Sequence, residues 1–267
     1  MWNLGSLINS LKYPLQNKKD LIVIGTIFLI AALINLFCIK YLEIDKTNLL
    51  ILINLIVGFF IFGFLIKIIQ YTIHGKNTIP IFYFKKTFPI GVKAIILKSL
   101  YFIIPTLIII IIETLAGTHF NIIDRILYMT RRILEDSYNL EGPFNAMYVA
   151  YITLNRGLII TPIIGLILFI IFDGMTFMAL GKLAETKSLK KALNIKSTYY
   201  KLKTYGWKKY TKWYLKFIIL TLIFISITAL IGLIPYIGFI IVSFLLTPYY
   251  LMFKYREIGE IYIKKDY

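Results

Sequence analysis

The amino-acid sequence predicts an all-α fold: one integral membrane domain, residues 1–267, built as a polytopic bundle of about six transmembrane helices with interfacial amphipathic helices. Apolar residues make up 59% of the chain and charged residues 16%, against roughly 45–50% and 25% in soluble domains. Runs such as residues 107–112 are apolar on every side, whereas barrel strands alternate. A helix satisfies its backbone polar groups within its own segment, so these runs are expected to be helical.

Each span needs about 20 apolar residues. The windows that qualify are 21–41, 49–69, 95–116, 157–181, 213–233 and 236–253. Before them, residues 1–20 form an amphipathic stretch that we expect to lie along the inner interface. The last two spans are separated by only a few residues, which predicts an antiparallel hairpin.

The distribution of Lys and Arg sets the expected orientation. With the N-terminus in the cytoplasm, 24 of the 30 Lys and Arg residues fall on the inner side, in its loops and tails or at the inner ends of spans. The sequence therefore predicts a multi-pass protein of the cell membrane with both termini cytoplasmic. The net charge of +17 is then concentrated on the inner side, where it would attract an anionic leaflet.

The segment 188–216 carries the densest charge. Leu189, Leu193 and Tyr200 fall near one helical face, which predicts an interfacial helix on anionic lipid headgroups. Basic residues interleaved with aromatic ones would also suit nucleic acid, but attachment at the bilayer explains both features, so we expect no nucleic acid partner. The lysines assigned to headgroup contact are Lys190, Lys191, Lys201, Lys203, Lys208, Lys209 and Lys212.

The loop 118–156 shows apolar residues at helical spacing and i, i+4 ion pairs such as Arg131 with Glu135. This pattern predicts an amphipathic helix on the outer interface. A lid or a docking surface is the alternative, since long ordered loops are often functional.

Asp173 is the main ionisable residue expected inside a span. Such a group is a functional candidate, here a proton or cation site. Its alternatives are a structural ion pair near the inner interface, with Lys67 or Lys98 as the partner, and a helix break at Asp173-Gly174 that admits water.

No cofactor or metal site is expected. His74 and His119 fall on opposite sides of the predicted membrane, so they cannot share a metal. The sequence also holds no phosphate-binding loop, no zinc-protease motif and no nucleophile elbow.

When the sequence is aligned with itself at an offset of 115 residues, several identical residues coincide. This suggests a parallel duplication of a two-helix hairpin. Chance matches of the abundant lysines are the alternative. The superposed residues are Lys67, Lys76, Lys86, Gly91 and Lys93 on Lys182, Lys191, Lys201, Gly206 and Lys208.

One pattern resembles a known family. It consists of a glycine in a span, a glycine and an Ile-Pro in the following loop, spaced aromatics, and a Gly-x-Lys that opens the next span. The residues are Gly63, Gly75, Pro80, Phe82, Gly91 and Lys93. They resemble the signature of domain-of-unknown-function family 4013, which implies a multi-pass prokaryotic membrane protein and brings no activity. Residues 11–14 and 255–262 look similar too, so the resemblance would cover nearly the whole chain. Lys85 and Lys86 stand where family members usually carry acids.

Proline disfavours helix at the residue before it. Pro80 and Pro89 therefore predict an irregular segment over residues 79–89, seated on the inner leaflet.

The leading functional hypothesis is a non-enzymatic membrane protein that acts through contacts with anionic lipids or a membrane-protein partner at its basic inner face. The first alternative is a small-solute transporter or permease with a site between the hairpins and Asp173 inside it. The second is an intramembrane enzyme, for which no catalytic residues can be paired.

Overall fold

A computed structural model describes residues 4–16, 18–41, 48–81, 83–115 and 160–263. Every regular element in these ranges is a helix, which confirms the predicted all-α fold class. The predicted outer helix within 118–156 and the motif residue Phe82 lie outside the described residues.

The helices follow the predicted spans. They are α1 (Leu4–Gln16), α2 (Lys18–Tyr41), α3 (Asn48–Ile73), α4 (Phe84–Leu115), α5 (Ile160–Thr186), α6 (Leu189–Ala192), α7 (Ile195–Tyr205), α8 (Trp207–Gly232), α9 (Ile237–Ile241), a π-helical turn (Val242–Leu246) and α10 (Thr247–Ile263). Within the described residues, five stretches are long and apolar enough to span a membrane: Asn54–Ile73, Lys85–Ile112, Ile164–Thr186, Trp207–Gly232 and Ile237–Ile263. Helix α2 covers the first predicted span, and its crossing of the membrane stays a prediction.

The last span continues well past its predicted end. It was expected to stop at residue 253, but α10 extends to Ile263. Its beginning is also unusual, because the π-helical turn Val242–Leu246 joins α9 to α10. Pro248 has no N–H to give to the carbonyl four residues earlier, which favours the wider hydrogen-bond pattern there.

The irregular segment between α3 and α4 is shorter than predicted. Helix α4 begins at Phe84 and contains Pro89, so the expectation of irregular structure up to residue 89 is wrong. The carbonyl of Tyr83 accepts hydrogen bonds from the backbone N–H groups of Lys86 and Thr87 and from the Thr87 hydroxyl. These bonds start the helix, and the packing of its first turns on α3 outweighs the single hydrogen bond that Pro89 removes.

The basic segment, residues 188–216, was predicted as one interfacial helix but is divided among α6, α7 and the first turns of α8. Helix α6 ends at Ala192, and Asn194 begins α7 by accepting a hydrogen bond from the Ser197 N–H at 3.0 Å. This break changes the helical phase, so Tyr200 points to solvent and is 71% exposed. The prediction that Tyr200 shares a face with Leu189 and Leu193 is therefore wrong.

Several helix termini meet at one end of the bundle, which we call the basic end. Lys93 of α4 donates to the Lys187 carbonyl just after α5, at 3.0 Å. Arg256 of α10 donates to the Lys76 carbonyl after α3, at 2.8 Å. Tyr13 of α1 donates to the Thr78 carbonyl at 3.3 Å. The segments that the charge distribution places on the inner side thus lie together.

Candidate functional site

Asp173 lies on α5 and faces α8 and α10. The Tyr214 hydroxyl donates to its Oδ2 atom at 2.9 Å. The positive charges of Lys254 and, more weakly, of Lys98 act on the carboxylate. The pairing of Asp173 with Lys67 or Lys98 stays a prediction, and Lys254 joins Lys98 as a source of positive charge that acts on Asp173.

Lys67 and Lys98 have further contacts of their own. Lys67 donates to the Thr87 hydroxyl at 2.8 Å, on the α3–α4 side of the bundle. Lys98 Nζ lies 4.7 Å from the centroid of the Phe62 ring. Of the two lysines considered from the sequence, only Lys98 is therefore placed where its charge acts on Asp173.

An aromatic cluster surrounds Lys254. Its Nζ lies 5.8 Å from the ring centroids of both Phe177 and Phe217. Trp213 stacks on Phe217 with centroids 5.1 Å apart. Rings at these distances stabilise an ammonium group by cation–π attraction, so the charge of Lys254 is held between α5, α8 and α10.

A second acidic group lies next to this cluster. Glu257 is fully buried, and the indole N–H of Trp213 donates to its Oε2 atom at 3.1 Å. Glu257 lies beyond residue 253, the predicted end of the last span, so the sequence did not mark it as a group within a span. It became visible only because α10 continues beyond the predicted span. Two carboxylates and a lysine in an aromatic environment can hold a proton or a cation, or can serve as a structural charge network.

The basic segment is fixed to the bundle. The Tyr101 hydroxyl donates to the Ala192 carbonyl at 3.4 Å and to the Thr198 hydroxyl at 3.3 Å, and Lys182 donates to the Ser197 hydroxyl. Leu202 and Tyr205 are buried against the core. Helices α6 and α7 therefore present their lysines from a defined position.

Six of the seven lysines assigned to headgroup contact are exposed. We call these six the basic face: Lys190, Lys191, Lys203, Lys208, Lys209 and Lys212. The seventh, Lys201, lies with its Nζ 3.2 Å from the centroid of the Tyr262 ring. Its ammonium is therefore held against α10.

The two motif glycines Gly63 and Gly91 bring α3 and α4 into backbone contact. A Cβ on Gly91 would lie 1.6 Å from the Phe59 carbonyl oxygen, and one on Gly63 would lie 2.0 Å from the Thr87 carbonyl oxygen. Only glycine permits this approach, as small residues do at other membrane helix contacts. Gly206, which the possible duplication superposes on Gly91, instead joins α7 to α8 at φ +91°. The duplication stays a prediction.

Gly75 terminates α3. Its φ is +70°, its N–H donates to the Thr72 carbonyl, and the Lys76 N–H donates to the Tyr71 carbonyl, both at 2.9 Å. This is the Schellman arrangement, which requires a left-handed residue at this position. Two further motif residues also have structural roles, because Pro80 is buried in the loop and Lys93 binds the carbonyl that follows α5.

Arg256 fastens the loop after Gly75 to α10. Besides the Lys76 carbonyl, it donates to the Asn77 side-chain oxygen at 2.8 Å and to the Thr72 hydroxyl at 3.2 Å, and it pairs with Glu260 at 3.1 Å. Its guanidinium also lies 5.0 Å from the Tyr13 ring centroid. Burial raises the pKa of the Tyr13 hydroxyl despite the opposing charge of Arg256, so Tyr13 remains a neutral hydrogen-bond donor.

No group of three or more His, Cys, Asp or Glu residues is placed to hold a metal ion within the ranges that the structure describes.

A comparison with protein families decides the relationship suggested by the motif. The family described as protein of unknown function (DUF4013) matches residues 48–236. The chain belongs to the DUF4013 family. The match contains all six motif residues and confirms the predicted resemblance. It is narrower than expected, since residues 11–14 and 255–262 lie outside it.

No curated protein and no solved structure matches this DUF4013 chain. The matched segment runs from α3 to α8, so it includes Asp173, Tyr214 and the basic face. Lys254, Arg256 and Glu257 lie beyond it, on α10.

Proposed function

We propose that this DUF4013 protein is a non-enzymatic, multi-pass protein of the cell membrane that contacts anionic lipid headgroups through its basic face. The termini and the basic face then lie on the cytoplasmic side. The observation that carries the proposal is the exposure of six lysines on helices that buried contacts fix to the bundle. The uneven distribution of charge along the sequence supports the cytoplasmic placement of the basic face, because inner loops normally carry the excess of Lys and Arg.

The geometry favours a lipid surface as the partner. Tyr199 and Tyr200 lie among the lysines and are 44% and 71% exposed, and aromatic side chains are typical of the headgroup region. Each lysine near an anionic surface contributes about 1 kcal/mol. Neutralising three should therefore weaken binding roughly 100-fold, since about 1.4 kcal/mol corresponds to a tenfold change.

Native mass spectrometry of the full chain in mild detergent tests the proposal. The protein is titrated with phosphatidylglycerol and, separately, with phosphatidylcholine. The test variant carries Lys203→Gln, Lys208→Gln and Lys212→Gln. The control variant carries Arg125→Gln, Arg131→Gln and Arg132→Gln, which removes the same charge from the loop predicted to lie outside.

We expect phosphatidylglycerol adducts in the wild type and the control, and their loss in the test variant. Equal adducts in the two variants would contradict the proposal, because lipid would then respond to net charge alone. A reproducible protein adduct that depends on the same lysines would instead identify a membrane-protein partner for this face.

A second candidate function is transport of protons or a small solute. It rests on Asp173, which accepts a hydrogen bond from Tyr214 between three membrane-spanning helices and lies in the field of Lys254. Proteoliposomes loaded with a pH-sensitive dye would report proton entry under an imposed potential. Entry that disappears in Asp173→Asn, with the fold retained, would support this function, and equal rates in vesicles without protein would remove it.

A further inference from the structure

A second group of positive charges, separate from the basic face, lies where α3 meets the first turn of α4. Lys67 Nζ and Lys86 Nζ lie 5.7 and 5.9 Å from the centroid of one ring, that of Tyr83. Lys67 comes from α3 and Lys86 from α4, so the two helices bring the ammonium groups to the same tyrosine. The charge of Lys86 acts on Lys67.

These two charges lack an acidic partner within the part of the chain that the structure describes. Among the described residues, the contacts of Lys67 and Lys86 are with the Thr87 hydroxyl and the Tyr83 ring, and neither lysine contacts a carboxylate. The first turn of α4 holds no acidic residue and includes Lys85 and Lys86. Positive charge at this end of a helix is unfavourable unless an anion offsets it. The local charge therefore favours a bound anion.

The hydrogen bonds leave donors available for that anion. Lys67 uses one N–H of its ammonium on the Thr87 hydroxyl at 2.8 Å, and an ammonium has three. Thr87 is fully buried and donates its own proton to the Tyr83 carbonyl. It therefore acts as a positioning residue that holds Lys67 toward Tyr83.

The surroundings indicate what kind of anion fits. Tyr83, which lies beside the lysines, is 55% exposed. Ile81, two residues earlier, is 59% exposed, and Phe88 on α4 also reaches the surface. A free ion gains nothing from apolar neighbours, whereas a phospholipid places its phosphate on the lysines and its glycerol and acyl region on such side chains.

We propose that Lys67 and Lys86 form a discrete binding site for the phosphate group of an anionic phospholipid, with Tyr83 and Ile81 against its apolar part. This site deepens the proposed lipid contact by naming a second location and its ligand chemistry. It uses none of the lysines of the basic face, so the two proposals can fail separately.

Lipid titration of the full chain in mild detergent, followed by native mass spectrometry, tests the site. The ligands are phosphatidylglycerol, phosphatidylcholine and inorganic phosphate. The test variants are Lys86→Gln and Lys67→Gln. Lys85→Gln is the matched control, because it removes the same exposed charge one residue away without a contact to the Tyr83 ring.

We expect Lys86→Gln and Lys67→Gln to weaken phosphatidylglycerol binding roughly tenfold each, as the loss of a charge-assisted hydrogen bond implies. Lys85→Gln should change it less than about twofold, in keeping with a solvent-exposed charge. In the variant that carries Lys203→Gln, Lys208→Gln and Lys212→Gln, phosphatidylglycerol binding should still depend on Lys86. Since Lys86 is exposed, its variant reports on binding even where Lys67→Gln lowers stability.

Two results would overturn the site. Equal losses in Lys85→Gln and Lys86→Gln would mean that only general charge matters. Displacement of the lipid by inorganic phosphate at the same concentration would mean that the apolar neighbours add nothing, and that the ligand is free phosphate.

Discussion

Backbone contact between α3 and α4 predicts a large effect of a very small substitution at Gly91. A Cβ there would lie 1.6 Å from the Phe59 carbonyl oxygen, although Cβ atoms essentially never come within 3.0 Å of another heavy atom. Gly91→Ala therefore requires the two helices to separate by more than an ångström. Overpacking costs about 1–3 kcal/mol, and a main-chain obstacle cannot rotate away. We expect the free energy of unfolding to fall by about 3 kcal/mol, the upper end of that range.

The assay is an SDS titration of the protein in mild detergent, followed by far-ultraviolet circular dichroism. Gly232→Ala is the matched control, because no heavy atom lies within 4 Å of its added Cβ. This control should stay within about 1 kcal/mol of the wild type, the usual difference in helix propensity between the two residues. If both variants unfold at the same SDS fraction, α3 and α4 do not touch at Gly91 and the reasoning is refuted.

Three further substitutions have expected outcomes in the same titration. Gly75→Ala should cost about 1 kcal/mol from its φ of +70° alone, since nothing lies within 4 Å of the new Cβ; a neutral result would mean that α3 ends differently. Tyr214→Phe should cost about 1–2 kcal/mol by removing the donor to Asp173, and this cost should shrink in an Asp173→Asn background. Arg256→Lys should cost about 2 kcal/mol, because lysine keeps the charge but loses the forked contacts to the α3–α4 loop; wild-type stability would show that charge alone suffices.

The spans could be predicted because each one is a local property of the sequence. An apolar run long enough to cross a bilayer can be recognised without knowing what packs against it. The predicted spans therefore differ from the observed helices mainly at their ends. One of these errors lies at Pro89, where the local preference of proline against helix is outweighed by tertiary packing. The buried Thr87 and the contact of Gly91 with α3 keep that turn helical.

The surroundings of Asp173 could not be predicted to the same extent. The residue itself was found because a carboxylate inside an apolar run is unusual. Its partners Tyr214 and Lys254 are 41 and 81 positions away, so no spacing rule connects them to it. Glu257 lies beyond the predicted end of the last span, because the sequence after residue 253 becomes polar. The helix nevertheless continues to Ile263, and its polar residues Arg256 and Glu257 are buried against the protein.

The contacts of α10 constrain how the two proposed lipid sites can behave. Arg256 holds the loop that leads into α4, while Tyr262 donates to Glu185 near the end of α5 and lies under Lys201 of α7. One helix therefore fastens both the start of α4, which carries Lys86, and the helices that carry the basic face. A lipid bound at either proposed site would stabilise the packing of α10, on which the other site also depends. The two proposed sites should consequently respond together when α10 is displaced, even though each consists of different lysines.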